Sequence, residues 1–258
     1  MSALSWNCRG LGNLRIVRAL QEVIASEDPS LVFLMETTLS KEDMTYKKYT
    51  LGFTEGLVVD SIGSKGGLAL LWKKDVMVDV QTFGSWHIDA EIGGNDGLGR
   101  WRFMGFYGQL ETSKREETWQ ILERFGSSNS LPWLCIGDYN EILSDAEKLG
   151  GNPRAPKLME RFRKVMNRCR FRDLGYVGSR FTWSKVFANG DSWWIRLDRA
   201  LATPEWFSRF ANAKLHHLST MASDHCMLAL KWGQNGRRIR VGAKPFRFEA
   251  IWLCDLRC

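Results

Sequence analysis

The polar residues with the clearest chemical potential stand beside short apolar runs. Residues 133–136 form one such run, and Gly137 leads from it into Asp138 and Asn140, a carboxylate and an amide at alternate positions. Asp and Asn are also ordinary turn residues, because their side chains hydrogen-bond to nearby backbone groups. A catalytic interpretation makes Asp138 a base and Asn140 an orienting group on a rigid strand end. That interpretation requires other strands to supply matching groups.

Further polar residues stand in the same relation to apolar runs. Those that end or follow a run are Asn7, Glu36, Tyr107 and Asp198, and the one that precedes a run is His225. Strand ends from alternate directions converge on one edge of an antiparallel sheet, so these groups could share a cleft. A soluble protein also turns polar wherever a strand ends, so an ordinary set of turns is the alternative interpretation.

The candidate side chains favour hydrolysis assisted by a hard metal ion. No Ser or Cys has an evident adjacent base, which disfavours a nucleophilic triad. The His and Cys residues lack the spacing of a zinc site. Carboxylate oxygens suit Mg²⁺, with water and substrate phosphate completing its shell. Such an ion stabilises charge in phosphoryl transfer while a carboxylate deprotonates an attacking water. Metal-assisted hydrolysis of a phosphodiester is the reaction class that uses all of these residues.

The elements that must position these residues are short strands interrupted by helices. Apolar runs predict strands at 3–6, 31–35, 68–72, 76–80, 133–136, 181–183, 195–197 and 226–232, with 87–92 and 101–107 as a hairpin. Helical spacing of apolar residues predicts helices over 16–24, 119–125 and 156–168, and a short helix that starts at Pro204. Ser113 and Glu116 match a capping box for the second helix. Residues 41–48 form a polar stretch without a predicted element. The pattern indicates one domain over 1–232 and a tail over 233–258.

Composition is that of an ordinary globular protein with a small basic excess. The chain has 258 residues, 44% hydrophobic and 25% charged, and a net charge of +7. The tail holds six basic and two acidic residues, so it carries more than half of that excess, a weak preference for nucleic acid. Six scattered cysteines without a C-x-x-C pair favour a reducing compartment. Without a secretory signal or an apolar run of about 20 residues, we expect a soluble, intracellular protein that is neither secreted nor membrane-bound.

Several motifs, taken in order, resemble the endonuclease/exonuclease/phosphatase superfamily. They resemble more closely the apurinic-endonuclease-like domain of plant LINE-type (non-LTR) retrotransposons. The segments that carry this resemblance are WNCRGLGN (6–13), LPWLCIGDYNEIL (131–143), RFTW (180–183), RLDRAL (196–201) and SDHCMLAL (223–230). The resemblance implies an α/β (α+β) fold of the DNase I type. In that fold, two mostly antiparallel mixed β-sheets are flanked by helices in a four-layer sandwich.

The same resemblance implies a metal and phosphate site. Glu36 would ligate Mg²⁺, for which Mn²⁺ is a possible substitute, and Asp224 would lie beside the ion. Asn7 would orient phosphate and metal-bound groups, and Tyr107 would contact the phosphate. Ser223 would support these groups or contact the phosphate itself.

The resemblance also implies the groups that carry out the reaction. Asp138 would activate or position the attacking water, and Asn140 would orient phosphate and metal-bound groups. Asp198 would hydrogen-bond to His225, which fixes its tautomer and keeps the imidazole cationic against the phosphate. Repair-type apurinic endonucleases carry an acidic residue where this chain has Arg9, so nicking of ordinary duplex DNA is expected rather than strong abasic-site cleavage.

The function implied is that of a magnesium-dependent DNA endonuclease, nuclear if active, that leaves a 3′-hydroxyl. DNA is the expected partner, with no stable protein partner. Two alternatives stay open: an inactive nucleic-acid-binding remnant of a truncated element, and a phosphatase or exonuclease of the same fold that acts on RNA or inositol phosphates. The segment KPFRFEAIWL (244–253) resembles the linker that precedes a reverse-transcriptase domain.

Overall fold

Two β-sheets packed face to face form the centre of the structure, which is a computed structural model. It describes residues 1–63, 65–93 and 99–233. The predicted basic tail, apart from Gly233, lies outside the described residues. No helix in the described ranges combines the length and the apolar character needed to cross a membrane.

The secondary structure of the described residues comprises sixteen strands and five α-helices. In chain order the strands are β1 (Ser2–Asn7), β2 (Leu31–Met35), β3 (Glu55–Ile62), β4 (Lys65–Trp72), β5 (Met77–Gly84), β6 (His87–Gly93), β7 (Trp101–Tyr107), β8 (Trp133–Asp138), β9 (Lys148–Leu149), β10 (Arg172–Asp173), β11 (Val177–Gly178), β12 (Trp183–Val186), β13 (Ser192–Ile195), β14 (Asp198–Ala202), β15 (Lys214–Leu218) and β16 (Met227–Lys231). The helices are α1 (Leu14–Glu27), α2 (Lys41–Thr50), α3 (Arg115–Ser128), α4 (Pro156–Arg168) and α5 (Pro204–Arg209).

Both large sheets are mixed and mostly antiparallel, as expected. The seven-stranded sheet has the order β11-β15-β16-β1-β2-β4-β3, with parallel pairs β11–β15 and β1–β2. The six-stranded sheet has the order β10-β14-β8-β7-β6-β5, with β7–β8 as its parallel pair. A small third sheet, β12-β13-β9, was not expected. The two large sheets confirm the predicted DNase I-like architecture.

The core between the sheets is tightly packed. Phe33 of the seven-stranded sheet lies in one buried cluster with Phe103, Leu134 and Ile136 of the six-stranded sheet. A Cβ atom added at Gly105 of β7 would overlap the ring of Phe33. Glycine at position 105 therefore lets the second sheet approach that ring closely.

Helices cover the outer faces of both sheets and complete the four layers. Ile16 and Leu20 of α1 pack with Leu4 of β1 and Val32 of β2. On the other side, Trp119 and Leu122 of α3 join Phe162 and Val165 of α4 against residues of β7 and β8. Because β2 is buried on both faces, its apolar run is continuous rather than alternating.

The sequence did not predict one helix and several of the strands, and it placed one helix start wrongly. Residues 41–50 form α2 despite weak apolar patterning, with Ser40 accepting a hydrogen bond from the Asp43 amide at 3.1 Å. The unpredicted strands are β3, β9, β10, β11, β14 and β15. The predicted strand over 195–197 is wrong for residues 196 and 197, which lie between β13 and β14. The predicted capping box at Ser113 is wrong, because a 3₁₀ turn occupies Thr112–Lys114 and no side chain caps α3.

Candidate active site

The predicted polar residues of six strands meet at one edge of the two facing sheets. In the six-stranded sheet Asp138 is in register with Tyr107 on one side and with Asp198 on the other. In the seven-stranded sheet Asn7 is in register with Met35, and Glu36 follows directly. Asp198 begins a strand instead of ending one, contrary to the sequence prediction. It still reaches this edge because β14 runs antiparallel to β8.

The backbone at this edge depends on a glycine. Gly137 has φ +150°, and a Cβ atom there would overlap the carbonyl oxygen of Phe106 in the neighbouring strand. Glycine therefore permits the close approach of β7 and β8 immediately before Asp138. The sequence predicts that this strand ends at Ile136, whereas in the structure β8 continues through Gly137 to Asp138.

Glu36 is held by neutral donors from both sheets. Its Oε1 atom accepts a hydrogen bond from Asn7 Nδ2 at 2.9 Å and another from the Tyr107 hydroxyl at 2.8 Å. Asn7 Nδ2 also donates to Asp138 Oδ2 at 3.2 Å, which links the two carboxylates. Asn7 Oδ1 is buried without a partner among the described residues, and such an acceptor suits a ligand group that donates to it or a cation.

Asp198 and His225 form a buried charge-assisted hydrogen bond. Nδ1 of His225 lies 2.9 Å from Asp198 Oδ2, and its Nε2 lies 3.9 Å from Asp138 Oδ2. Burial opposes the charged imidazole, but the charges of Asp198 and Asp138 prevail and raise the pKa of His225 to about 9. This hydrogen bond leaves Nε2 directed toward Asp138, in agreement with the predicted pairing.

Asp138 is fully buried, and burial is the main cause of its raised pKa. The nearby charge of Asp198 adds to that effect, so the pKa of Asp138 rises to about 7 although His225 opposes the shift. A carboxyl group with a pKa near neutrality suits a general base. Asn140, with φ +52°, donates its backbone N–H to Asp138 Oδ1 at 2.9 Å. Its side-chain amide donates to the Gly108 carbonyl at 2.8 Å.

Ser223 and Asp224 join the site through the loop before β16. The Ser223 hydroxyl donates to the Asn7 carbonyl at 3.0 Å and accepts the His225 N–H at 3.1 Å, so it ties two site residues together. Asp224 accepts two hydrogen bonds from Arg9, at 3.1 and 3.2 Å, and one from Trp183 Nε1 at 2.8 Å. Arg9 also contacts Glu36, with Nη1 3.3 Å from Oε2.

Two sets of residues could hold a metal ion by geometry. Asp138, Asp198 and His225 each offer a ligand atom, and those atoms lie within 4.8 Å of one another. However, a histidine with a raised pKa is cationic near neutral pH and offers no lone pair to a metal. The oxygens around Glu36, including the unpartnered Asn7 Oδ1, fit a hard cation better.

Three neighbouring residues of the site were not assigned a role from the sequence. Thr182 is buried, and its hydroxyl accepts the N–H groups of Leu197 and Asp198 at 2.9 Å each, so it fixes the start of β14. Trp183 and Arg9 hold Asp224. Thr182 and Trp183 belong to the segment RFTW, which contributes to the family resemblance. Their hydrogen-bond partners are too distant in the chain to be inferred from spacing.

A buried ionic network supports the loop that follows Asp138. Arg199, which is fully buried, contacts Glu147 at 2.9 Å and Asp173 at 3.2 Å. Glu141, also fully buried, accepts from Arg115 and Arg154 at 2.8 Å each. The network fixes both sides of the loop that carries Asn140.

Comparison with solved structures shows the same fold in several nucleases. A 3′-5′ exonuclease from Neisseria meningitidis matches with a TM-score of 0.69 and 15% identity over 91% of this chain and 100% of its own. An AP endonuclease from Leishmania major matches with a TM-score of 0.67 and 18% identity over 91% and 88%. The endonuclease domain of TRAS1, a telomere-specific non-LTR retrotransposon, matches with 0.67 and 13% over 91% and 99%. At these identities the likeness concerns the fold.

The family follows from the sequence match. Comparison with curated proteins finds no significant match. Residues 4–225 match the model of the Endonuclease/Exonuclease/phosphatase family, and this segment spans the whole candidate site from Asn7 to His225. The chain therefore belongs to the Endonuclease/Exonuclease/phosphatase family, which supports a hydrolase of the nuclease and phosphodiesterase type.

Proposed function

We propose that this protein is a magnesium-dependent DNA endonuclease of retrotransposon origin, which nicks duplex DNA and leaves a 3′-hydroxyl. The observation that carries the proposal is the pairing of two groups at one sheet edge. Glu36 with Asn7 and Tyr107 forms an oxygen-rich cradle, and Asp138 lies beside the cationic His225. The first group suits a metal and a phosphate, and the second suits activation of water.

Each residue of the edge has a proposed task. Asp138 accepts a proton from the attacking water as the water oxygen bonds to phosphorus, and Asn140 holds that carboxylate through its backbone N–H. The bond between phosphorus and the 3′ oxygen breaks, and that oxygen takes a proton from solvent water to leave as the 3′-hydroxyl. His225, kept cationic by Asp198, stabilises negative charge on the phosphate. Tyr107 and Asn7 donate hydrogen bonds at the phosphate or metal side, and Ser223 positions Asn7 and His225.

Glu36 is the proposed metal ligand, and Asp224 is proposed to lie beside the ion. Mg²⁺ is the proposed ion, with Mn²⁺ as a substitute, because the donors at this position are oxygens. When bound, such an ion supplies Lewis-acid stabilisation of charge on the phosphate oxygens. Asp224 shares its oxygens with Arg9 and Trp183, so Glu36 is the principal ligand of the proposal.

The substrate and origin rest on sequence and charge. The motif order resembles LINE-type endonuclease domains, and the fold of the TRAS1 endonuclease domain is similar. The net charge of +7 suits a polyanionic partner. We propose that residues 1–232 form the catalytic domain, that the basic tail over 233–258 assists binding, and that the active protein works in the nucleus without a stable protein partner.

Incubation with supercoiled plasmid tests the proposal. Purified protein with Mg²⁺ is expected to convert the plasmid to the relaxed circle, and a DNA polymerase is expected to extend the nick because it carries a 3′-hydroxyl. Chelator should stop the reaction. Parallel incubations with single-stranded RNA and inositol phosphates test the other substrate classes. Turnover of either, without nicking, contradicts the DNA assignment, and no turnover of any substrate at several salt concentrations favours an inactive remnant.

A further inference from the structure

The side chain of Arg9 occupies the space between the two carboxylates proposed for the metal side of the site. Its Nη1 lies 3.3 Å from Glu36 Oε2, while Nε and Nη2 lie 3.1 and 3.2 Å from the two oxygens of Asp224. Arg9 thus joins Asp224 through two parallel hydrogen bonds and Glu36 through one. Guanidinium is a permanent cation, so both carboxylates are already neutralised in part.

The backbone around Arg9 is fixed, so this contact is built into the fold. Arg9 has φ +53°, an uncommon conformation for a residue other than glycine. On either side of it, Cys8 N–H donates to the Met35 carbonyl at 3.0 Å and Gly10 N–H donates to the Glu36 carbonyl at 2.8 Å. The strand end that carries Glu36 therefore also holds the loop that carries Arg9.

The oxygen of Glu36 that Arg9 contacts is the one a metal would use. Glu36 Oε1 already accepts hydrogen bonds from Asn7 and Tyr107, whereas Oε2 accepts one from Arg9. Asp224 Oδ2 is shared between Arg9 and Trp183. A divalent ion at Glu36 Oε2 would therefore lie next to the Arg9 guanidinium, and the two cations would repel each other at that distance.

We propose that Arg9 competes with the divalent metal ion for Glu36 and so limits the metal affinity of the protein when no nucleic acid is bound. The ion must displace Nη1 from Glu36, and the two hydrogen bonds to Asp224 hold Arg9 beside the site afterwards. This inference rests on the metal ligand of the proposed function. Arg9 thereby raises the concentration of metal ion that the site needs for binding.

Removal of the guanidinium should tighten metal binding. Arg9→Gln and Arg9→Met both free Glu36 Oε2 and take one positive charge from beside it. The dissociation constant for Mn²⁺ should fall by about tenfold or more, since unit charges a few ångströms apart near a protein surface interact by several times the thermal energy. Arg9→Met keeps an unbranched apolar side chain, whereas Arg9→Gln keeps a polar end, so the same result in both variants excludes an effect of shape or polarity.

Titration of Mn²⁺ without nucleic acid tests the inference, with free Mn²⁺ followed by electron paramagnetic resonance. Arg124→Gln is the matched control, because Arg124 is an exposed residue of α3 and its loss changes net charge equally. Arg124→Gln should bind Mn²⁺ like the wild type, and Glu36→Gln should abolish binding in the Arg9→Gln background. Circular dichroism shows which variants are folded, and one folded Arg9 variant is sufficient for the test.

Equal or weaker Mn²⁺ binding by a folded Arg9 variant would overturn the inference, and so would undetectable binding by both variants and the wild type. The same tightening in Arg124→Gln would also overturn it, because the effect would then be one of net charge. Nicking plays no part in this titration. A protein that binds Mn²⁺ as expected but never cuts DNA contradicts the proposed function alone.

Discussion

At the scale of single residues, the protonation states of Asp138 and His225 depend on Asp198. The charge of Asp198 stabilises both the protonated imidazole and the protonated form of Asp138, so it raises the pKa of each group. Asp138 must be deprotonated to act as a base, while His225 must be protonated to stabilise phosphate. The Asp198 carboxylate therefore contributes, together with burial, to both ends of the pH range in which the proposed reaction can run.

The pH profile of activity provides the first prediction. For wild-type protein, kcat/KM should rise as pH increases through about 7, where Asp138 loses its proton, and fall through about 9, where His225 loses its own. Asp198→Asn removes the charge that raises both pKa values, so both limbs should move to lower pH. Plasmid-nicking rates measured from pH 5 to pH 10 would reveal the shift. Limbs that stay in place in a folded variant would rule out this coupling.

The position of the metal gives a second prediction at the residue scale. Glu36→Gln should weaken Mn²⁺ binding strongly, because it removes the charge of the principal proposed ligand. His225→Ala should retain the binding, because the cationic imidazole lies on the catalytic side and not among the ligands. Isothermal titration with Mn²⁺ measures both. The opposite pattern would place the ion in the cluster of Asp138, Asp198 and His225.

At the scale of elements, the sequence predicts the strands and helices whose apolar residues follow a regular local pattern. Residues 31–35 are a strand because they are continuously apolar, and α4 follows its apolar spacing from Pro156 to Arg168. Helix α2 escaped prediction because only Met44 and Lys48 are buried in it, which leaves no apolar face to detect. The polar residues at predicted strand ends are the ones that lie together at the edge of the sheets. That Asp198 begins β14 instead of ending a strand could not be predicted, because it depends on the direction of that strand.

Contacts between segments that are distant in the chain could not be predicted from local sequence patterns. Arg9 reaches Asp224, 215 residues away, and Trp183 reaches the same carboxylate from a strand of the small third sheet. Charge and spacing along the chain do not predict these contacts, because the contacts depend on how the two large sheets stack. The role of Arg9 could therefore be seen only once the loops after β1 and before β16 were placed side by side.

The buried network below the catalytic loop provides a prediction on stability. Arg199→Met should lower the free energy of unfolding by about 3–5 kcal/mol, because Arg196 is then left to balance both Glu147 and Asp173, and one of the two carboxylate charges stays uncompensated. Arg168→Met is the control, because its ion pair with Glu123 is exposed and should contribute only about 0–1 kcal/mol. Urea unfolding followed by tryptophan fluorescence measures both. A similar decrease in the free energy of unfolding in the two variants would contradict a stabilising role for the buried ionic network.

At the scale of the whole molecule, the site exists only because two sheets face each other. Glu36 and Asn7 come from the seven-stranded sheet, whereas Tyr107, Asp138 and Asp198 come from the six-stranded sheet. The hydrogen bonds from Asn7 to Asp138 and from Tyr107 to Glu36 cross between them. Close packing at Phe33 and Gly105 keeps the sheets at the separation these bonds require.

We propose that the edge shared by the two sheets is the catalytic centre of a nuclease. The most direct test is the rate at which supercoiled plasmid is nicked, with Mg²⁺, by wild-type protein and by Asp138→Asn and His225→Ala at equal concentration. We predict nicking by the wild type and a loss of at least about 100-fold in each folded variant, the scale of a positioned acid or base. Nicking at the wild-type rate by both variants would contradict the claim.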